Sequence, residues 1–283
     1  MDRIDELESK SIYIIREAYK EFKNLGMLWS IGKDSTTLLW LCKKAFFGKV
    51  PFPVIYIDTG EHFQEMYDFR DRCVKKWNLE LIVSQNIDKA KEMGIDHKDK
   101  IKCCNIRKTV ALKNTIAQHK FDALFLGIRR DEHAMRNIER YFSPRDKEFR
   151  WKIFREKEKW EKGDSPFEAL QPTEMWNLYQ TDFGDECSHV RVHPILHWNE
   201  VDIWRYIKRE NLPVNPLYFA KDGKRYRSLG CGFLILGPSI SFSNFACFYL
   251  FDYFINIRGL GIDRICTGLT AKTSVAFAVL GKI

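Results

Sequence analysis

The run Ser30-Ile31-Gly32-Lys33-Asp34-Ser35 places hydroxyls, a glycine, a lysine and an aspartate between an apolar stretch, "GMLW", and a second one, "TTLLWLCKKAFF". Those residue types suit an anion. Glycine lets backbone approach a ligand closely, lysine brings charge, and Ser30 and Ser35 bring donors. A helix that starts here adds unpaired N–H groups and the positive end of its dipole. Asp34 could hold Mg²⁺ or brace the loop. The spacing is not the Walker pattern, which needs four residues between its first glycine and the Gly-Lys pair. A polar strand-to-helix turn capped by serine explains the same letters, and spacing alone leaves both readings open.

Further residues with chemical potential follow apolar runs. Asp58, Thr59 and Gly60 follow "FPVIYI", and Arg129, Arg130 and Asp131 follow "FDALFLGI". Paired guanidinium groups match tetrahedral oxyanions bidentately. Arg136, Arg140 and Arg145 come next on a charged stretch, where they could close over a site or form a solvated surface. His189, His193 and His197 recur every fourth residue, but Pro194 and a strand-like context argue against a helical metal face. These histidines and His133 are assigned structural roles.

The elements that must position these residues alternate. Residues 4 to 22 repeat apolar positions at three and four, predicting a leading helix. Strands are expected at "GMLWS", "FPVIYIDTG", "LELIVSQN", "FDALFLGIRR" and "VRVHPILHW". Helices are expected at "TTLLWLCKKAFF", "EMYDFRDRCVKKW", "RKTVALKNTIAQH" and "NEVDIWRYIKREN", the last with Asn199 as N-cap. Near-continuous apolar strands alternating with helices predict an α/β fold with a mostly parallel, twisted sheet covered on both faces. Ligands bind such a sheet at its strand carboxyl ends, where all three clusters fall.

The 283 residues are 45% apolar and 30% charged with a formal net charge of +8, ordinary for a soluble protein that accepts anionic partners. The eight cysteines are scattered, which fits a reducing compartment rather than a disulfide scaffold. The N-terminus reads as a charged amphipathic helix, not a signal peptide.

"SIGKDS" resembles the pyrophosphate loop of the ATP pyrophosphatase superfamily, usually written with two glycines after the serine. With Ile31 it is similar to the small-subunit family of bacterial sulfate adenylyltransferases. "KAFFGKVPFPVIYIDTGEHFQEMYDFRDR", "GIRRDEHAMRNIERYFSPRD", "VRVHPILHWNEVDIWRYIKREN" and "RYRSLGC" resemble that family in its order, over about residues 8 to 231. The resemblance implies an adenine nucleotide alpha hydrolase-like fold and the reaction of ATP with sulfate to give adenylyl sulfate and pyrophosphate. It implies that Ser30, Gly32, Lys33, Asp34, Ser35, Asp58, Thr59 and Gly60 bind ATP and pyrophosphate. Lys33, Arg129 and Arg130 would be catalytic, Arg136, Arg140 and Arg145 oxyanion-binding, and Asp34 a magnesium ligand. Mg-ATP would be the substrate, a large GTPase subunit the partner in a heterodimer, and the cytoplasm the location, with no nucleic acid or membrane involved.

The pair Cys103-Cys104 and the later Cys231 also resemble part of the iron–sulfur ligand set of adenylyl sulfate reductases, which share this fold. Leu234 stands where the fourth cysteine would be, so no cluster is expected. A phosphoadenylyl sulfate or adenylyl sulfate reductase is the enzymatic alternative, and an inactive nucleotide-binding remnant the other.

The expected organisation is one domain over 1–231, with a charged insertion at about 131–185, and a divergent tail over 232–283. The tail holds only Asp252, Arg258, Asp263, Arg264, Lys272 and Lys282 as Asp, Glu, Lys or Arg residues, against the family's charged helical end with its Glu-Arg-x-Gly-Arg element. A membrane or partner segment, a divergent core element and a shifted reading frame each account for this change, and the shifted frame is the leading expectation.

Overall fold

The computed structural model describes residues 2–95, 99–132, 136, 139–150, 183, 187–220 and 226–231. His133, most of the charged stretch after it and the whole 232–283 tail lie outside the described residues.

Helix α1 (Arg3–Glu21) starts on a capping box in which Asp2 and Asp5 each accept the other's backbone N–H. Strand β1 (Leu25–Leu28) then leads through the loop to α2 (Lys33–Ala45), β2 (Val54–Asp58), α3 (Gln64–Trp77) and β3 (Leu81–Gln85). Short helices α4 (Ile87–Glu92) and α5 (Lys100–Cys104) precede a π-helical stretch, Asn105–Val110, and α6 (Ala111–His119). Strands β4 (Ala123–Phe125), β5 (Phe142–Arg145) and β6 (His189–Val192) and helix α7 (Glu200–Glu210) complete the regular elements.

The six strands lie in the order β3-β2-β1-β4-β6-β5. All neighbours are parallel except β5, which runs antiparallel to β6 at the sheet edge. The chain builds outward from β1 to β3, then returns to place β4 on the other side of β1. That reversal opens a crevice at the carboxyl ends of β1 and β4, the position at which open α/β sheets bind ligands. Central strand residues Met27, Val54, Ile55, Ala123, Leu124 and Phe125 are fully buried, which accounts for their continuous apolar character.

Helices α2 and α7 lie side by side and point the same way. Lys33 meets Glu200 at their amino ends (3.5 Å), and Lys44 meets Glu210 at their carboxyl ends (3.2 Å). Asn199 caps α7 in a second capping box with Asp202, whose carboxylate also receives both arms of Arg3 at 3.1 and 2.8 Å. The amino end of α7 is thereby fixed over the loop that precedes α2.

Most expected elements are present, with shifted ends. The strand expected at "FDALFLGIRR" is regular only over Ala123–Phe125, and "VRVHPILHW" only over His189–Val192. The insertion assigned to about 131–185 contains β5, a true sheet strand. Its sequence, Phe142-Ser-Pro-Arg145, hid it because proline breaks strand patterns. Proline is tolerated here because β5 is an edge strand.

Candidate nucleotide site at the strand carboxyl ends

Trp29 extends β1 by donating its N–H to Ile55 O at 2.9 Å, and the chain then turns sharply. Ile31 makes the turn with φ 65° while fully buried, a conformation that costs a β-branched residue roughly 1–3 kcal/mol. This is the position at which the resembled loop carries glycine, and surrounding packing holds Ile31 in place. Gly32 caps α2 without a side-chain bond, and a β-carbon there would stand 3.3 Å from both Ser30 Oγ and Tyr218 Oη. Ser30 and Ser35 hydroxyls are 3.0 Å apart, and Trp29 Nε1 donates to Thr36 Oγ1 at 3.1 Å. The loop is thus braced by its own side chains around the opening of α2.

Lys33 is buried, and that burial pushes its ammonium down to about 8, against the pull of Glu200. Its Nζ lies 3.2 Å from Asp34 Oδ2, and its backbone N–H donates to Tyr218 Oη at 3.0 Å. Asp34 also ion-pairs with Arg129. Arg129 is buried beyond the end of β4, and its Nε donates to Asp131 Oδ1 at 2.9 Å. Asp131 in turn accepts the Glu200 N–H at 2.8 Å. Lys33, Asp34, Arg129, Asp131 and Glu200 therefore form one charge network linking the loop, the end of β4 and the start of α7.

Asp58 ends β2 with its oxygens committed. Oδ1 accepts the Gly60 N–H and Tyr67 Oη–H, both at 2.8 Å, and Oδ2 accepts Gln85 Nε2–H at 3.0 Å. Burial raises this carboxyl, and the three donors outweigh it, holding the group below the usual range. Thr59 is buried and its carbonyl accepts Arg107 Nη1–H at 2.7 Å. Gly60 turns with φ 75°, and a β-carbon there would come 2.8 Å from Ile87 Cδ1. These residues shape the strand end beside the loop.

The remaining arginines separate. Arg130 donates from Nη2 to Glu139 O at 3.1 Å and from its backbone N–H to Leu196 O at 3.0 Å. Arg136 ion-pairs with Glu132 and lines the cleft described next. Arg140 is buried with its carbonyl 2.8 Å from His193 Nδ1. Arg145 pairs in register with His189, the first residue of β6, and its guanidinium reaches back along β5 to Ser143 and Glu139, both at 2.8 Å. Glu139 also accepts the Arg130 guanidinium through its carbonyl, so Arg145 and Arg130 share this residue.

Beside the loop lies a cleft with about 870 Å³ of empty volume counting its open mouth. Leu28, Ile55, Ile57, Met66, Leu126 and Ile128 are among its apolar walls, and Ser30, Ser35, His62, Lys108 and Arg136 supply polar groups. An apolar cleft ending in hydroxyls, a helix amino end and cations suits a ligand with a flat apolar part and an anionic tail. His62 stays neutral near pH 7, because burial pushes its ring down to about 4.

Sequence reasoning missed Gly127, Lys108, Glu200, Tyr218 and Arg227. A β-carbon on Gly127 would strike Ser35 Cα at 2.8 Å; a glycine closing an apolar strand was the available signal. Glu200, Tyr218 and Arg227 come from the chain's later third, and no local pattern announces the contacts of Glu200 and Tyr218 with Lys33 or of Arg227 with Glu200.

As for metals, Asp34 is paired with Lys33 and Arg129, and Asp58 accepts three donors, two on Oδ1 and one on Oδ2. Among the described residues there is no group of three or more His, Cys, Asp or Glu side chains placed to hold a metal. Cys103, Cys104 and Cys231 are buried, and Cys104 packs on Cys231.

Comparison with known proteins places this geometry. A family profile described as phosphoadenosine phosphosulfate reductase domain matches residues 24–235. Sulfate adenylyltransferase subunit 2 of Saccharophagus degradans is 44% identical over 223 residues, covering 78% of this chain and 68% of that protein. The same-named protein of Baumannia cicadellinicola is 41% identical over 225 residues, covering 78% and 69%. Among solved structures, phosphoadenylyl-sulfate reductase from Candida auris aligns with a TM-score of 0.52 at 15% identity, covering 82% of this chain and 96% of that one. FMN adenylyltransferase from Candida glabrata, in complex with ATP, aligns with a TM-score of 0.53 at 17% identity, covering 81% and 62%. These two likenesses establish the shared fold, adenine nucleotide alpha hydrolase-like, and no more.

Proposed function

From the premise that this chain belongs to the sulfate adenylyltransferase subunit 2 family, we propose that it is the nucleotidyltransferase subunit that converts ATP and sulfate to adenylyl sulfate and pyrophosphate. The observation that carries the reading is the convergence of Ser30, Gly32, Lys33 and Ser35 with Arg129 at the β1–β4 crevice, beside an apolar cleft.

In this reading the base lies in the cleft and the β- and γ-phosphates lie over the loop. A sulfate oxygen attacks the α-phosphorus, the bond from that phosphorus to the bridging oxygen breaks, and pyrophosphate leaves with the electron pair. Charge grows on the leaving group, so the groups that matter are donors and cations already aimed at it: the amides opening α2, the serine hydroxyls and Lys33. Arg129 serves the phosphates once Asp34 releases it. Arg130, Arg136 and Arg140 guide the incoming oxyanion, with Arg136 on the cleft wall. Magnesium enters on the triphosphate as part of the substrate, and Asp34, once it releases Arg129, is the carboxylate that would hold it.

The relatives' name, subunit 2, supports a partner subunit. We assign that partner as a large GTPase, because forming a sulfate–phosphate anhydride is uphill and a second nucleotide hydrolysis can drive it. A cytoplasmic location belongs to the same proposal; among the described residues no helix is long and apolar enough to cross a membrane.

The test is production of adenylyl sulfate from ATP and sulfate by the chain with its GTPase partner and GTP. Product that requires sulfate supports the reading. The reductase domain match and the Cys104–Cys231 contact favour one alternative, reduction of adenylyl sulfate to sulfite. Thiol-dependent sulfite release with visible iron–sulfur absorbance would establish that alternative instead.

A further inference from the structure

Lys33 is held from both sides by the chain's later third. Tyr218 Oη accepts its backbone N–H at 3.0 Å, and Glu200 Oε1 lies 3.5 Å from its Nζ. The other Glu200 oxygen accepts Arg227 Nη2–H at 3.0 Å. A carboxylate bridging a loop lysine and an arginine engages donors of the kind that bind a phosphate oxyanion.

The backbone beneath Glu200 is fixed by the Asn199 cap and by the Asp131 contact to its own N–H. Its side chain is 28% exposed and that of Arg227 62%, so both can turn away without moving an element. Asp34 Oδ2 already lies 3.2 Å from the same Nζ, so a polyphosphate arriving there is a third anion and competes with Glu200 for Lys33.

We propose that Glu200 is an internal counter-anion that covers the pyrophosphate subsite of the empty protein and yields Lys33 and Arg227 to the incoming phosphates. Glu200 is then a positioning residue. It keeps the loop cations paired when no nucleotide is present, and it helps expel pyrophosphate by reclaiming them. The inference rests on the nucleotide reading above. Neutral ligands of the cleft gain nothing from displacing Glu200, so the effect selects for anionic tails.

The test is calorimetric binding of pyrophosphate, ATP and adenosine to the wild-type chain, Glu200→Gln and Glu200→Asp, with Glu200→Ala as a second neutral variant should the glutamine form fail to fold. Removing the carboxylate should tighten pyrophosphate and ATP about fivefold, the scale of one partly screened ion pair, and leave adenosine unchanged. Aspartate should restore wild-type affinity. In turnover, Glu200→Gln should lower KM for ATP without raising kcat, since the product is also held longer. Pyrophosphate bound equally or more weakly by both neutral variants overturns the proposal. Tightened pyrophosphate with no ATP or adenosine binding to any form supports the counter-anion and overturns the nucleotide reading alone.

Discussion

Gly127, just past β4, lies against Ser35 in the first turn of α2 so closely that a β-carbon would come within 2.8 Å of Ser35 Cα and 2.9 Å of its nitrogen. Real β-carbons do not approach backbone so closely. The end of β4 therefore clamps the loop helix, and the clamp sets where its free N–H groups point.

Gly127→Ala should push these two elements apart. The expected cost is about 1–3 kcal/mol of stability, as for overpacking elsewhere, with a larger proportional loss of ATP affinity. Chemical denaturation and ATP titration of the variant check this. Unchanged affinity would remove Gly127 from the account.

Buried histidines give the protein a defined acid sensitivity. Burial holds His62 and His193 at about 4 and His197 at about 3, against about 6.5 in an unfolded chain. Between those values the unfolded state binds more protons than the folded one. Stability is thus full above pH ~7, declines as pH falls through 6.5, and stops declining from this source below the folded values. Down to pH 5 each ring costs on the order of 2 kcal/mol. Urea unfolding at pH 7.5, 6 and 5 should show a steady loss, and a flat profile would contradict the burial of these rings.

Arg145 and Arg129 should behave as opposites. Burial alone would raise the Glu139 carboxyl, but Arg145 beside it, with His193 and Ser143, pulls it to about 2. Arg145→Met strands that carboxylate, at a cost of roughly 3–5 kcal/mol, and adding Glu139→Gln should recover part of the loss. Arg129→Ala should instead abolish most turnover. Melting curves set beside rates would decide, and an Arg145→Met enzyme of normal stability would refute its structural role.

The tail has its own test. The family match ends at residue 235, near the change in composition after Cys231. Translating the coding DNA in the other two frames beyond that point should yield a charged tail with a Glu-Arg-x-Gly-Arg element. Neither frame doing so would retire the frameshift proposal.

Much of this was legible in the letters. Buried parallel strands are apolar throughout, so Met27, Val54 and Leu124 announced the sheet, and Asn199 announced α7. The loop from Ser30 to Ser35 was legible because anion binding needs those residue types together. Strand β5 was not, because Pro144 and its charged neighbours suit an edge position that only the finished sheet defines. Nor was the burial of Arg145 against Glu139, a contact that only the finished β5–β6 edge defines. The contacts of Glu200 and Tyr218 with Lys33 span more than half the chain and depend on how α7 docks along α2.

The most direct measurement is sulfate-dependent exchange of labelled pyrophosphate into ATP, with the GTPase partner and GTP present and absent, and Lys33→Ala as control. The account predicts exchange that requires sulfate and falls roughly 10²–10³-fold in Lys33→Ala, the usual loss when one preorganised charge-stabilising group is removed. Exchange indifferent to sulfate or to the loss of Lys33, or none at all in a folded protein that binds ATP, would contradict it.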